Sequence, residues 1–171
     1  EADEYDRSFL TLHPDIAVIT SMDADHLDIY GDKKHLEESY RLFAQQLKAN
    51  GKLIHKKGLP LTDLNLNRAE YALSANCDYT ADKIEIKNHQ YYFNWHNSST
   101  SIANLSTDMP GRHNVENAVA AIAASKQLGI DAGKISAAVH SYKGVKRRFD
   151  YQFRSDQVIY IDDYAHHPEE L

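Results

Sequence analysis

IAVITSMDADHLDIYGDKKHLEESYRLFAQQLKANGKLIH, residues 16–55, is the stretch that decides the fold class. It begins with a β-branched apolar run of the kind that forms a buried strand, and KLIH at 52–55 predicts a second strand. Between them, residues 33–50 have the apolar spacing of a helix that ends at Asn50-Gly51. One face of this helix carries Leu36, Tyr40, Phe43 and Leu47. Because the order strand, helix, strand favours parallel pairing, we predict an α/β fold with a mostly parallel central sheet flanked by helices.

The rest of the chain adds antiparallel strands and further helices. Residues 82–106 alternate polar and apolar side chains in three short runs, which predicts a small antiparallel meander on the side of the main sheet. Helices are predicted at 114–128 and 134–141, each ending before a glycine. The apolar run within DQVIYIDDYAHHP predicts one more strand, and a domain boundary is expected near KGVKRRFD at 143–150.

Composition excludes several classes of function. The 171 residues carry 19 basic and 25 acidic side chains, and no basic run is interleaved with aromatic residues, so nucleic acid is not an expected partner. The single Cys77 cannot form an intrachain disulfide, and no apolar run approaches membrane-spanning length. The acidic opening EADEYD is unlike a signal peptide. We therefore expect a cytoplasmic protein without membrane insertion, and the missing initiator Met leads us to expect a piece of a longer chain.

Polar clusters that could carry chemistry follow one another along the chain. They are EADEYD at 1–6, DADHLD at 23–28, the helix start in PGRHNVENAVAAIAAS at 110–125, GVKRRFD at 144–150 and DDYAHHP at 162–168. Each has a plain alternative as a solvated turn or loop. DADHLD follows a predicted strand, and ligand sites in open α/β sheets lie at such strand ends. Its histidine is therefore either a metal ligand or an exposed loop residue.

In this order the clusters resemble the Mur ligases of peptidoglycan synthesis. The stretches that carry the resemblance are EADEYDRSFL, AVITSMDADHLDIYG, PGRHNVENAVAAIAA, GVKRRFD and IDDYAHHPEEL. These stretches extend from the first residue to the last, although residues 56–106 match only in their general pattern of polar and apolar residues. Within the family, the sequence of these stretches is most similar to that of the ligases that join L-alanine to UDP-N-acetylmuramate.

The resemblance implies an ATP-dependent amide-bond ligase that uses Mg²⁺. The carboxylate of UDP-N-acetylmuramate would take the γ-phosphoryl group of ATP to give an acyl phosphate, and the amine of L-alanine would then displace phosphate. A carboxylate needs this activation because its leaving group would otherwise be oxide. Phosphoryl transfer to a carboxylate also requires charge neutralisation, which falls to Mg²⁺ and cationic side chains.

The resemblance also implies roles for particular residues. Glu1 would be a Mg²⁺ ligand near the nucleotide phosphates, and His26 would hold a second Mg²⁺ that bridges the γ-phosphate and the muramyl carboxylate. His113, Asn114 and Asn117 resemble the adenine-binding residues of the family. An amide matches the N6 and N7 edge of adenine, and two asparagines three apart on a helix point to the same side. A plain helix N-cap is the alternative role for Asn114.

Further residues near the chain end would complete the site. By resemblance, Arg147 and Arg148 lie in an interdomain linker, with Arg147 favoured for the ATP phosphates because a guanidinium fork suits phosphate oxygens. Asp162 or Asp163 could hold the ribose hydroxyls. The remaining residues expected near the substrates, once the domains close, are His166 and His167.

The resemblance divides the chain and leaves two departures from the family. Residues 1–143 would be the central ATP-binding domain truncated at its N-terminus, 144–150 the linker, and 151–171 the beginning of the Rossmann-like C-terminal domain. The family's Gly-rich phosphate loop, which ends in Gly-Lys-Thr, is absent, so this fragment alone is predicted to be inactive. Tyr40 and Arg41 stand where some sister ligases carry a carbamylated lysine; Arg41 could supply a fixed positive charge but cannot be carbamylated.

Two other functions remain open from the sequence. One is the recycling ligase that attaches a whole tripeptide to UDP-N-acetylmuramate, which shares the acidic and Asp-His motifs, although ADHLDIYG fits the alanine ligase better. The other is a non-catalytic nucleotide-binding module. A Gly-Lys-Thr loop upstream of Glu1 would favour the ligase.

Replacing His26 by Ala in the intact enzyme is expected to lower kcat far more than it raises the KM for ATP. The carboxylate and the γ-phosphate, two anions about 4 Å apart, repel by about 4 kcal/mol at an effective dielectric of about 20, so a cation must lie between them. The measurement is kcat against Mg²⁺ concentration for both proteins. An unchanged kcat with the same Mg²⁺ dependence would show that His26 is an ordinary loop residue.

Overall fold

The computed structural model describes residues 5–23, 27–73 and 76–165. The strands in this part of the chain are β1 Ile16–Ile19, β2 Lys52–Lys56, β3 Arg68–Ala72, β4 Tyr79–Lys87, β5 Gln90–Asn97, β6 Ser101–Thr107, β7 Asp150–Arg154 and β8 Ile159–Asp162. The helices are α1 Leu27–Tyr30, α2 Lys33–Gln45, α3 Arg112–Gln127 and α4 Ala132–Ser141, preceded by a 3-10 turn at Ser8–Thr11. Within the described ranges, no helix combines the length and the apolar character needed to cross a membrane.

Six strands form one sheet in the order β1-β2-β3-β4-β5-β6. The pairings from β1 to β4 are parallel, whereas β5 and β6 each run antiparallel to the preceding strand. The predicted α/β fold with a mostly parallel sheet is therefore confirmed. The meander continues the main sheet and does not lie beside it, because the start of β4 pairs with the end of β3, with Tyr71 opposite Tyr79. This pairing satisfies the backbone groups that β3 would otherwise leave at a sheet edge.

β3 has only a weak signal in the sequence pattern. Its residues RAEYA alternate polar and apolar side chains from Arg68 to Tyr71, but the run is short and two of its three apolar residues are alanines, so no strand was predicted here. The strand forms because the chain after β2 returns beside it, and the backbone of Arg68 lies opposite that of Leu53 in a parallel ladder. The carboxylate of Asp78 then accepts a hydrogen bond from the Glu70 backbone N–H at 2.7 Å. Tertiary pairing thus decides this element.

α3 covers one face of the sheet and encloses the larger core. Trp95 of β5 is fully buried there, and its indole Nε1–H donates a hydrogen bond to the carbonyl of Val119 at 3.2 Å. The indole also stacks on the ring of Tyr79 with centroids 5.9 Å apart. The helix begins at Arg112, two residues before the predicted start, and ends at Gln127. Its other contacts with the core come from Val115, Ala120, Ile122 and Ala123.

α2 covers the opposite face. Its N-cap is Asp32, whose carboxylate accepts a hydrogen bond from the His35 backbone N–H at 2.9 Å. The helix ends at Gln45, earlier than predicted, because the Lys48 backbone N–H donates to the carbonyl of Pro14 and so binds the chain before β1. The predicted apolar face is confirmed, since it packs in a second core that includes Leu36, Tyr40, Phe43 and Leu47.

The end of the chain forms a separate small sheet. β7 and β8 pair with each other in an antiparallel hairpin, and β8 confirms the predicted strand. β7 was not predicted. Both strands keep large apolar side chains exposed, with Phe153 57% and Ile159 52% accessible. The predicted boundary at 143–150 falls between α4 and the body of this hairpin, and the division into domains stays a prediction.

Trp95→Ala is expected to lower the free energy of unfolding by about 3–5 kcal/mol, the range for truncating a buried aromatic side chain. The loss combines the buried indole area with the hydrogen bond to Val119. Urea unfolding followed by circular dichroism measures it. Ile86→Ala is the control, because Ile86 is 63% exposed on the neighbouring strand and its truncation should change stability by less than about 0.5 kcal/mol. Equal effects of the two variants would contradict this account of the core.

Candidate functional site

A cleft of about 930 Å³ lies between α3, α4 and the segment that follows α4. α3 contributes three polar side chains at its N-terminal end, and the segment after α4 contributes a cation and an acid. Residues distant in the sequence therefore share one cavity. The predicted site residues that line it are His113, Asn114, Asn117, Arg148 and Asp163.

The start of α3 is built around Gly111. This residue is the N-cap, has a φ of 90°, and makes no side-chain capping bond. A Cβ at this position would lie 2.5 Å from Cε1 of His113, so only glycine lets the imidazole lie against the helix start. Asn114 is in the first turn of the helix and is not its N-cap. The N-cap alternative for Asn114 is therefore wrong, because the helix begins two residues earlier than the sequence predicted.

The two asparagine amides differ in what they leave free. Nδ2 of Asn114 donates a hydrogen bond to the carbonyl of Pro110 at 2.6 Å, which fixes the orientation of that amide and leaves its Oδ1 as an acceptor. Asn117 also lines the cleft, and within the described part of the chain its amide has no hydrogen-bond partner. Asn117 thus presents both a donor and an acceptor to the cavity, whereas Asn114 presents an acceptor.

The two arginines of GVKRRFD have different surroundings. The guanidinium of Arg147 lies 5.1 Å from the ring centroid of Tyr164, and its Nε is 4.0 Å from Oδ2 of Asp162. Arg148 lines the cleft and pairs with no acid among residues 5–23, 27–73 and 76–165. The cleft is therefore lined by an arginine that forms no ion pair within the described ranges.

The neighbouring acids are also held differently. Both carboxylate oxygens of Asp163 accept backbone hydrogen bonds. One accepts from the Phe149 N–H at 3.1 Å and the other from the Ala165 N–H at 2.9 Å. Asp162, at the end of β8, instead approaches Arg147. The carboxylate of Asp163 thus ties the chain after β8 to the segment after α4.

The carboxyl ends of the parallel strands carry a second set of polar contacts. Nζ of Lys56, at the end of β2, lies 2.9 Å from Oε2 of Glu116 in α3. Burial, and then the Glu116 carboxylate, raise the pKa of the Tyr71 phenol well above its ordinary value, so this phenol is neutral. After β1, the hydroxyl of Ser21 donates to the carboxylate of Asp23 at 2.5 Å. The Lys56–Glu116 pair thereby fastens α3 to the end of β2.

Four predicted site residues lie outside the described residues: Glu1, His26, His166 and His167. They include both expected Mg²⁺ ligands. Among the residues that the structure does describe, no group of three or more histidine, cysteine, aspartate or glutamate side chains is placed to hold a metal ion. The metal assignments therefore stay predictions.

Arg41 does not supply a free positive charge. Its guanidinium binds the carboxylate of Asp63 through two nitrogens, at 2.8 and 2.6 Å, and donates to the carbonyl of Pro60 at 2.6 Å. The pair lowers the pKa of Asp63 below its ordinary value. This geometry fastens the loop after β2 to α2, because a bidentate pair fixes both side chains. The fixed positive charge that Arg41 was expected to supply is thus paired with the Asp63 carboxylate.

The apolar wall of the cleft was not predicted. Met109 and Phe149 contribute to it, as do Ile135, Val139 and Tyr142 of α4 and its C-terminal extension. The helical spacing of the last three residues was a usable signal for an apolar stripe. It could not indicate a cavity, because an apolar stripe of this kind is more often part of a core.

Comparison with known proteins gives consistent results. Residues 2–125 match the family described as the Mur ligase middle domain. The UDP-N-acetylmuramate–L-alanine ligase of Christiangramia forsetii is 47% identical over 171 residues, a match that covers 100% of this chain and 37% of that relative. The chain thus spans little more than a third of the length of this curated relative.

Solved structures share the fold. The UDP-N-acetylmuramate-alanine ligase of Thermotoga maritima superposes with a TM-score of 0.80 at 25% identity, covering 99% of this chain and 39% of that one. A MurF ligase of Thermotoga maritima in complex with ADP gives 0.76 at 17% identity, covering 96% of this chain and 39% of that one. With the family match over residues 2–125 and the 47% identity over the whole chain, these findings show that the chain belongs to the Mur ligase family.

Proposed function

We propose that the protein containing this chain is a UDP-N-acetylmuramate:L-alanine ligase, which uses ATP and Mg²⁺ in peptidoglycan synthesis in the cytoplasm. The observation that supports this best is the cleft that is lined by His113, Asn114 and Asn117 and also by Arg148, which has no acidic partner among the described residues. Amide groups suited to a base, a cation suited to phosphates and apolar side chains in one cleft fit a nucleotide. The identity to named alanine ligases supports the choice of amino acid.

Asn117 is proposed to read the adenine base. Its free amide can donate to N7 and accept from the N6 amino group at the same time. The oriented Oδ1 of Asn114 adds an acceptor beside it, and the imidazole of His113 completes the polar end. The apolar wall that includes Ile122 and Tyr142 suits the faces of a planar base.

The sugar and the phosphates are proposed to lie toward the segment after α4. Arg148 would donate to phosphate oxygens through its guanidinium fork, and Arg147 would join it when the domains close. Asp162 is better suited than Asp163 to accept hydrogen bonds from the ribose hydroxyls, because both oxygens of Asp163 already bind backbone N–H groups.

The proposed chemistry has two balanced steps. An oxygen of the muramyl carboxylate attacks the γ-phosphorus of ATP, the bond to the β-phosphate oxygen breaks, and ADP leaves with an acyl phosphate in place. The amine of L-alanine then attacks the acyl carbon, and inorganic phosphate leaves as the amide forms and a proton is lost. His166 and His167 are proposed to lie near these substrates. Glu1 would hold one Mg²⁺ near the nucleotide phosphates and His26 would hold a second, and these ions would neutralise the charge of the two reacting anions.

The domain roles belong to the same proposal. Residues 1–143 would be the central ATP-binding domain, 144–150 the linker and 151–171 the start of the C-terminal domain. A ligase that transfers a tripeptide, or a module that only binds nucleotides, would share the cleft. The named relatives favour the alanine ligase over both.

The full-length protein is expected to release phosphate from ATP only when UDP-N-acetylmuramate and L-alanine are both present. Phosphate release and mass spectrometry of the uridine nucleotide product measure this reaction. Product formation with the tripeptide and not with L-alanine would identify the recycling ligase. Nucleotide binding without any product would identify the non-catalytic module.

Asn117→Ala is expected to raise the KM for ATP and to weaken the preference for ATP over GTP, at a cost of about 1–3 kcal/mol for hydrogen bonds to the base. The melting temperature should hardly change, because the Asn117 amide has no partner among the described residues. Ser125→Ala, at the far end of the same helix wall, is the matched control. A lower melting temperature with unchanged nucleotide kinetics would reject the role of Asn117 in base recognition.

A further inference from the structure

Lys143, two residues after the end of α4, forms an ion pair with the residue that follows β6. Nζ of Lys143 lies 2.6 Å from Oδ2 of Asp108, just after β6. The other oxygen of Asp108 accepts from Nε2 of Gln90, and Oε1 of Gln90 accepts from the hydroxyl of Tyr92 at 2.8 Å. Lys143, and then Gln90, hold the pKa of Asp108 below its ordinary value, so the carboxylate is charged at neutral pH. β5 therefore orients the acid that binds Lys143.

Gly144 lies close to the same segment after β6. It has a φ of 84°, and a Cβ built on it would lie 2.7 Å from Sδ of Met109, the residue after Asp108. The positive φ favours glycine there, because L side chains rarely adopt this backbone conformation. Two consecutive residues, Lys143 and Gly144, thus meet two consecutive residues of the chain after β6.

The segment beyond Gly144 is tied to itself. The Tyr164 N–H donates to the carbonyl of Arg147 at 2.8 Å, and the Phe149 N–H donates to Asp163. β7 and β8 pair with each other and, within the described ranges, with no strand of the six-stranded sheet. Residues 145–165 are therefore bonded to one another, and residues 143 and 144 connect this unit to the chain just after β6.

We propose that Asp108 and Lys143 are positioning residues, forming an ion pair that fixes the start of the segment after α4 and so holds Arg148 against the cleft. Breaking the ion pair would leave the covalent chain and the contact of Gly144 with Met109 intact. Residues 145–165 would then take up a wider range of positions relative to the six-stranded sheet. An ion pair at this exposure contributes little to global stability. Its loss should consequently appear as local opening after α4 and not as unfolding of the sheet.

Hydrogen exchange of the full-length protein tests the pair directly. In Asp108→Asn and Lys143→Met, amides of residues 143–149 should exchange about two- to fivefold faster, the range for losing a partly exposed ion pair. Amides of α3 and β5 should keep their rates. Lys143→Arg retains the charge and should exchange like the wild type, and the double variant should equal either single variant. Asp15→Asn is the matched control, since Asp15 pairs with Lys48 at 2.7 Å away from this segment.

The consequence for Arg148 rests on the proposed function and has its own measurement. Asp108→Asn and Lys143→Met should raise the KM for ATP about two- to fivefold, with a smaller change in kcat and with recovery in Lys143→Arg. Unchanged exchange at 143–149 in both variants overturns the ion pair as a positioning device. Faster exchange with unchanged ATP kinetics overturns its role at the cleft. If the wild-type protein makes no product, the proposed function fails, while the exchange rates still decide the proposal about the pair.

Discussion

The buried contact between Trp95 and α3 is the constraint on which the site depends. α3 has to keep its N-terminal turn at one edge of the cleft, and the hydrogen bond from the indole to Val119 fixes the helix both along its axis and about it. Val115 and Val119 face the sheet while Asn114 and Asn117 face the cavity. The same helix therefore packs the core with one face and offers polar groups with the other, so a shift in packing would move the amides too.

Several cations of the fold are held in ion pairs with acids distant in the sequence. Lys56 binds Glu116, Arg41 binds Asp63, and Lys143 binds Asp108. These pairs fasten α3, the loop after β2 and the segment after α4. Arg148 is different, because it faces the cleft and pairs with no acid in the described ranges. In a cavity that is largely apolar, an unpaired guanidinium is the natural place for an anionic ligand group.

The antiparallel meander supports both sides of the cleft. Its strands continue the parallel sheet, β5 supplies the tryptophan under α3, and Gln90 at the start of the same strand supports Asp108. One strand thus underlies both walls of the cleft, through α3 on one side and through the segment after α4 on the other. Residues 82–106, which contain none of the polar motifs, would in this view carry the geometry that those motifs require.

The sequence by itself determined the fold class, the apolar face of α2, the strands of the meander and five polar residues that line the cleft between α3 and α4. These follow from local spacing and from motif order, which a linear chain displays directly. Only the tertiary structure decided that RAEYA becomes β3, that α3 starts at Arg112 with Gly111 as its cap, and that Arg41 is bound by Asp63. The tertiary structure also distinguishes the two asparagines, because the Asn114 amide binds the carbonyl of Pro110 and the Asn117 amide has no partner among the described residues. It distinguishes the two arginines as well, because Arg148 lines the cleft and Arg147 lies against the ring of Tyr164. The physical reason is that each of these outcomes depends on a partner distant in the chain, and identical side chains in one motif differ only in the partners that folding brings to them.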